Sequence, residues 1–277
     1  MAYQALNYGD QILLINGQQI HGVQSVNASW SVPEQKMIAA GYGYVGSALQ
    51  GNLIGEISVD RLIVESTDSI TSLFDSSFAG SLSYGSKSFD FAKGYIQSYQ
   101  TACSVGEFAT NNFSIAAYGG AGNITSVSPT YSPITAKPAK ASKITISTSF
   151  SSNSAIQSYD LEFDLERTHR YRMGSMFVPD QANVKTPVEV RASFNMLISE
   201  YEAENIFAKI CPVGGLENLN ISVYHCSNNT DTKIREFNIQ NARLNDFNSS
   251  SSIDGYMEAS LSYVFDCSTM NQLNQIF

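Results

Sequence analysis

Hydrophobic and acidic residues alternate strictly along residues 159–166, where Tyr, Leu, Phe and Leu are each followed by Asp or Glu. Alternation with a period of two is typical of a β-strand that turns one face to the core and the other to solvent. Short runs rich in Val, Ile, Thr, Tyr and Phe, separated by Gly and polar residues, recur throughout the chain. The pattern therefore predicts a mainly β protein.

The chain also resembles itself. A shift of 133 positions aligns residues 23–74 with residues 156–207 without a gap and pairs Ser25 with Ser158 and Glu56 with Glu189. After a loop of unequal length the shift becomes 148, which pairs Phe89 with Phe237. Repetition over such a length indicates a duplicated structural unit.

A segment rich in proline and small polar residues, 126–142, separates the two copies, as expected of an exposed linker. We therefore predict two tandem β-sandwich or β-barrel domains, residues 1–139 and 140–277. Each is expected to contain one short helix, at residues 66–74 and 199–210. In the second of these, Ser199 and Glu202 have the spacing of a capping box.

Composition excludes several classes of protein. The chain has 16 basic and 25 acidic residues and a net charge of -9, so it lacks the basic surface that grips nucleic acid phosphates. Residues 1–10 do not read as a secretion signal, and no run of 18 apolar residues occurs, so we expect synthesis in the cytosol and no membrane contact. The four cysteines and three histidines lack metal-ligand spacing, and no catalytic or nucleotide-binding motif is present. We expect free thiols, no metal, no cofactor and no enzymatic activity.

The acidic strand is the first candidate for a functional surface. Asp160, Glu162, Asp164 and Glu166 are predicted to share one face. Like charges side by side are unfavourable, so the face is either simply solvated or selected to repel polyanions. A hydrolase that uses paired carboxylates ranks last, because the even spacing singles out no pair.

The second candidate is the long segment that follows the early strand of each copy, residues 35–53 and 168–186. Both segments are more apolar than a solvated loop, which favours contact with a partner over a loop folded onto its own domain. A basic cluster opens the second segment and is expected to pair with carboxylates of a neighbouring subunit. The candidate contact residues are Met37, Ile38, Tyr42, Tyr44, Val45, Leu49, Arg167, Arg170, Arg172, Met173, Met176, Phe177 and Val178.

A β-domain with a long apolar loop after its early strands and a helix before its later strands resembles the tail tube fold of long-tailed bacteriophages. The resemblance is one of layout and rests on the units 23–74 and 156–207. It implies a structural virion protein whose rings stack into a tube, with the acidic residues of 160–166 facing the lumen and the long loops joining subunits and rings. Because two domains share one chain, three copies are expected to form a ring with pseudo-sixfold symmetry.

The resemblance also implies a location and partners. The protein is expected in the virion tail, assembled in the host cytoplasm, in contact with itself and with the tape measure, baseplate and tail terminator proteins. DNA is expected to pass through without being held. Two alternatives remain open from sequence: a baseplate hub or distal tail ring, and a carbohydrate-binding or receptor-binding β-sandwich in which Trp30, Tyr42 and Tyr44 would stack on sugars.

Overall fold

The computed structural model describes residues 11–31, 34–41, 43–49, 54–64, 70–84, 87–119, 124–126, 138–139, 144–147, 156–173, 178–198, 216–224, 233–251 and 257–277. For 34–39, 43–49 and 124–126 the description is of the backbone alone. These residues are mainly β, as predicted.

Among the described residues, ten strands lie before the proline-rich segment or at its start, and eight follow it. The first ten are β1 (Gln11–Ile15), β2 (Gln18–Gln19), β3 (Val23–Ser31), β4 (Glu34–Ala39), β5 (Gly43–Leu49), β6 (Ile54–Leu62), β7 (Phe78–Tyr84), β8 (Lys87–Ser104), β9 (Thr110–Tyr118) and β10 (Ile124–Ser126). The last eight are β11 (Ile144–Ser147), β12 (Ile156–Asp164), β13 (Arg167–Arg170), β14 (Gln181–Val184), β15 (Val188–Leu197), β16 (Glu217–Tyr224), β17 (Lys233–Ser250) and β18 (Glu258–Cys267). We refer to residues 11–126 as the first half and to residues 144–277 as the second half.

The two halves have the same order of strand pairing. In the first half the order is β3–β6–β9–β8–β7–β1, and in the second it is β12–β15–β18–β17–β16–β11, with every pair antiparallel. The strands β8 and β17, of 18 residues each, pair with different neighbours along their two parts. In each half a two-stranded ribbon, β4–β5 or β13–β14, follows the early strand. Chain order and pairing order therefore repeat together.

Irregularities in strand register repeat as well. The β3–β6 ladder shifts between Val23 and Ser25, and the β12–β15 ladder shifts between Ile156 and Ser158, 133 positions later. A second shift recurs in the same way. The β8–β9 ladder shifts between Ile96 and Ser98, and the β17–β18 ladder shifts between Leu244 and Asp246, 148 positions later. A bulge is a local feature with its own hydrogen-bonding requirement, so its repetition fixes which residues correspond in the two halves.

The register corrects one part of the sequence alignment. Ala28 lies opposite Ile57 in the first half, whereas Leu161, the counterpart of Ala28, lies opposite Ala192. In β6 and β15 the offset is thus 135, and Glu56 corresponds to Arg191 rather than to Glu189. The two extra residues belong to the longer connection through the second ribbon.

In the part of the chain that the structure describes, one strand pair connects the sheets of the two halves. β12 lies along β8 in antiparallel register from Ser158 opposite Ser104 to Asp164 opposite Ser98. This joint makes a run of eight neighbouring strands, β3–β6–β9–β8–β12–β15–β18–β17. Beneath it lies a buried aromatic cluster to which both halves contribute, formed by Phe74, Tyr99, Phe163 and Phe277.

Helical structure differs from the prediction. Of the first predicted helix, residues 70–74 are described, and they form only a 3-10 turn at Thr71–Leu73, with Ile70 and Phe74 buried. The second predicted helix and its Ser199–Glu202 capping box lie outside the described residues. An α-helix that was not predicted, α1 (Met270–Ile276), begins at a Thr269–Gln272 capping box and buries Leu273 and Ile276.

The proline-rich segment is described only at its margins. Ala139, expected in an exposed linker, is fully buried. Its backbone N–H donates to the Ile63 carbonyl at 3.3 Å, and its carbonyl accepts from the Ala109 N–H at 2.9 Å. The residue next to the predicted boundary is therefore held against the strands of the first half.

Candidate functional site

The acidic strand lies in the middle of the eight-stranded run. In β12 and the residue after it, Tyr159, Leu161, Phe163 and Leu165 are buried on one face. On the other face Glu162, Asp164 and Glu166 are exposed and Asp160 is half-buried. The strict alternation in the sequence thus corresponds to a core face and a solvent face of one sheet.

The solvent face of the neighbouring strands is mainly polar. Opposite Glu162 lie Gln100 on one side and Arg191 on the other, and beyond Gln100 the row continues with Asn112 and Asp60. An open groove of about 620 Å³ crosses this face. We call this surface the acidic face. Its exposed or half-buried carboxylates are Glu56, Asp60, Asp160, Glu162, Asp164, Glu166, Glu189, Asp246, Glu258 and Asp266.

Few cations balance these carboxylates. Arg191 forms an ion pair with Glu189 of its own strand, at 2.7 Å, and Arg243 is exposed at the far side of the face. Lys185 pairs with Glu166 at 3.0 Å at the end of the ribbon. All three are side chains in contact with water, so their electrostatic contribution is modest and screened by salt. The face as a whole remains negative.

The carboxylate of Asp160 is half-buried on this face, and its surroundings change its pKa. Desolvation by burial raises the pKa of Asp160, the Gln100 amide opposes this by donating a hydrogen bond at 2.6 Å, and the charge of Glu162 raises the pKa further. A carboxyl group that is partly removed from water, with a like charge nearby, is expected to show this behaviour. Within the described part of the chain, no group of three or more His, Cys, Asp or Glu side chains is arranged to hold a metal ion.

The second ribbon, β13–β14, folds back onto the first half. Val178 and Ala182 pack against Tyr95, Ala116 and Tyr118, which sequence analysis did not identify as contact residues. These three residues belong to the solvent-facing rows of β8 and β9. Aromatic residues among polar ones in these rows are the feature of the sequence that indicates a covered surface. The ribbon therefore covers one end of the acidic face.

Polar contacts fix the ribbon in place. The Tyr118 hydroxyl and His169 Nε2 are 3.2 Å apart, and Lys93 Nζ donates to the carbonyls of Pro179 and Asp180 at 2.9 and 3.1 Å. Burial lowers the pKa of His169, and the nearby Arg167 cation lowers it further. A neutral imidazole is thus the form that suits this contact.

Arg167 has a different role from the one predicted. Rather than an exposed cation that awaits a carboxylate, it is partly buried and donates to the carbonyls of Ile96, Ala182 and Phe74. Its guanidinium carbon also lies 5.1 Å from the centre of the Tyr95 ring, in cation–π geometry. Arg167 therefore joins the ribbon to the first half of its own chain.

The other predicted contact residues are distributed as follows. Arg170 and Met173 are exposed, and the exposed Arg172 pairs with Asp180 at 2.9 Å. Met37, Ile38, Tyr44, Val45 and Leu49 lie on the ribbon β4–β5, of which only the backbone is described. Tyr42, Met176 and Phe177 lie outside the described residues. The positions in β17 and β18 that match Tyr95, Ala116 and Tyr118 are Arg243, Val264 and Asp266, so the two halves differ in chemistry at this end of the sheet.

Trp30 occupies the core side of β3, as Phe163 does in β12. It packs against the main core, and its ring lies so close over Gly55 that a Cβ atom added at that glycine would overlap the indole. Such packing does not suit an exposed platform for stacking on a sugar ring.

No family model matches the chain, and no curated protein matches it in sequence. Among the residues that the structure describes, no helix is long and apolar enough to cross a membrane.

Proposed function

We propose that the protein is a structural subunit of a phage-type tail tube, in which three copies form a pseudo-sixfold ring around an acidic lumen. The observation that carries the proposal is the β8–β12 joint, where the strand at one end of a unit's pairing order extends the sheet of a unit with the same pairing order. Repetition of the same joint between chains extends the sheet further, and closure after three chains removes its open edges.

The dimensions of such a ring suit a conduit. Eight strands in each of three copies give a closed sheet of twenty-four. At about 4.8 Å between strands, the backbone diameter is roughly 37 Å before strand tilt widens it. Barrels of 16–18 strands already leave an aqueous channel, so a closed sheet of this size leaves an open lumen.

The charge of the acidic face suits the passage of DNA. Proteins that hold DNA neutralise phosphates with Lys and Arg, whereas this face carries carboxylates across β6, β12, β15, β17 and β18. If the acidic face lines the lumen, electrostatic repulsion keeps the DNA from adhering to the wall. The role is passive: the protein supplies a rigid conduit and requires no catalysis.

Charge reversal tests whether the acidic face lines the lumen. We expect preformed rings of the parent protein to retain no duplex DNA, and preformed rings of the double variant Glu162→Lys/Asp164→Lys to retain linear duplex added afterwards, less so as salt increases. Closed circular duplex of the same length cannot pass through a closed ring, so its retention should stay at the parent level.

A matched control reverses two charges elsewhere. Asp75 and Glu107 lie in exposed turns, and the variant Asp75→Lys/Glu107→Lys changes the net charge equally. Equal retention of linear and circular DNA by the Glu162→Lys/Asp164→Lys variant would place the acidic face on the outside and contradict the proposal. A ring that does not stack would support a hub or distal tail ring instead of a tube.

A further inference from the structure

Two strand edges at opposite ends of the eight-stranded run are not joined to another strand within the described part of the chain. In the described strands, the ladder of β3 is with β6, and the ladder of residues 243–250 of β17 is with β18. Exposed strand edges promote uncontrolled association, and natural proteins cover them. In the first half, the counterpart of the β17 edge is the C-terminal part of β8, and β12 covers it.

The β8–β12 joint provides a template for covering both edges at once. β3 is the counterpart of β12 at an offset of 133, and β17 is the counterpart of β8 at an offset of 148, as the shared bulges establish. We propose that β3 of one copy pairs antiparallel with residues 246–250 of β17 in a second copy, with Trp30 opposite Phe247. This inference rests on the proposed function and specifies how its ring closes.

The register follows from the template position by position. Asp164 faces Ser98, Phe163 faces Tyr99 and Glu162 faces Gln100 in the chain. The corresponding pairs between chains are Ser31 with Asp246, Trp30 with Phe247, and Ser29 with Asn248. A slip of one residue would bring the indole opposite a polar side chain on the wrong face of the sheet, so the pattern specifies the register strongly.

The residues brought together are chemically compatible. On the core face an indole meets a phenyl ring, as Phe163 meets Tyr99 within the chain. On the acidic face each pair has a hydroxyl or amide opposite a hydrogen-bonding partner, so two carboxylates do not face each other. The acidic face then continues from one copy to the next.

The difference in burial between Trp30 and its counterpart agrees with this joint. Phe163 has 3% of its surface exposed, because Tyr99 and Phe277 cover it. Trp30 is only partly buried in the single chain, where β3 has one neighbouring strand. Since the chain has one tryptophan, its fluorescence reports directly on whether this position becomes covered.

Disulfide trapping between two different variants tests the register. The variant Ser29→Cys is mixed with the variant Asn248→Cys, oxidised mildly and analysed without reductant. Opposed Cβ atoms lie about 4.5–5.5 Å apart and come within disulfide reach after a small adjustment, whereas diagonal positions are about 7–8 Å apart. We expect a covalent dimer from this mixture only, with at least a tenfold lower yield when Ser29→Cys is mixed with Ser250→Cys.

Native thiols set the background. Cys103 and Cys267 are buried, which raises the pKa of Cys103 to about 11 and that of Cys267 to about 12, so both react poorly. The parent chain and each single variant alone, oxidised in the same way, provide the baseline for the remaining cysteines. Material that links only in the specified mixture therefore reports a contact between residues 29 and 248.

The outcomes separate the joint from the ring itself. Linked dimers from Ser29→Cys with Asn248→Cys support the register. Rings of three chains that yield no such link, or that link through Ser250→Cys instead, would overturn the register and leave the proposed function standing. Chains that stay monomeric at every concentration and link in neither mixture would overturn both.

Discussion

The rings of Phe163 and Tyr99 lie face to face, with centroids 5.6 Å apart and an interplanar angle of 20°. The two residues are direct partners in the β12–β8 register, so this stack lies where the second half of the chain joins the first. Phe74 and Phe277 approach both rings edge-on or at an angle. The joint between the halves is therefore a packed aromatic core.

Removal of the Phe163 ring should destabilise this joint strongly. We expect Phe163→Ala to lower the free energy of unfolding by about 3–5 kcal/mol, because it leaves a cavity among three other aromatic rings. Phe163→Leu keeps most of the volume and should cost about half as much or less. Urea denaturation of the two variants gives the comparison. Equal, small losses would show that the halves are stable without the joint.

The ribbon contact should weaken in acid. Burial and Arg167 lower the pKa of His169 below that of an unfolded histidine, so the unfolded or undocked form binds the proton more tightly. Stability from this contact is therefore present above about pH 6.5 and is lost as the pH falls below that value. Hydrogen exchange of the β13–β14 amides, corrected for intrinsic rates, should show less protection at pH 5.5 than at pH 7.5.

The variant His169→Gln provides the control for this pH dependence. Glutamine does not titrate, so the protection of β13–β14 should vary little between the two pH values. If the parent protein and the variant lost protection to the same extent, another group would be responsible.

Neutralising Asp160 should stabilise the fold. Its pKa in the folded state is raised from an ordinary value of about 3.8, so the folded chain favours the protonated form and ionisation near neutral pH opposes folding. Asp160→Asn removes this charge and keeps an oxygen to accept the hydrogen bond from Gln100. We expect a gain below about 1 kcal/mol at pH 7, given the partial exposure of the group.

The gain from Asp160→Asn should disappear near pH 3, where the parent carboxyl is protonated in both states. Urea midpoints at the two pH values provide the measurement, with Glu258→Gln, at an exposed end of β18, as the matched control. A loss of stability at pH 7 would mean that the carboxylate is stabilising where it lies.

A methyl group at Gly55 should displace the only tryptophan. The Cβ of Gly55→Ala would overlap the Trp30 indole, which must rotate or shift, at a cost of about 1–3 kcal/mol. The emission spectrum of Trp30 should change accordingly. Ser58→Ala, on the other face of the same strand, leaves the indole untouched and should alter neither property. An unchanged spectrum for Gly55→Ala would show that the indole does not lie over this glycine.

Local patterns in the sequence predicted local structure well. The alternation at residues 159–166 corresponds to a strand with a core face and a solvent face, because a period of two has a direct geometric meaning. The same kind of reasoning could have located α1, since Thr269 and Gln272 have the spacing of a capping box ahead of Leu273 and Ile276.

Non-local contacts were beyond the reach of such patterns. The basic cluster that contains Arg167 predicts pairing with carboxylates of a neighbouring subunit, yet Arg167 is held by carbonyls of its own chain as far away in sequence as Phe74. The offset of 135 between β6 and β15 likewise depends on how much chain each ribbon takes up, which single residues do not encode. Pairing between distant strands determined both outcomes.

The central claim is that three copies of this chain close a ring around an acidic lumen. Electron microscopy of the purified protein, combined with its mass in solution by light scattering, tests this most directly. The account predicts hollow rings, or tubes built from them, with three chains in each ring and a central opening that fills with stain. A monomer that remains without rings at high concentration, or rings with a number of chains other than three, would contradict it.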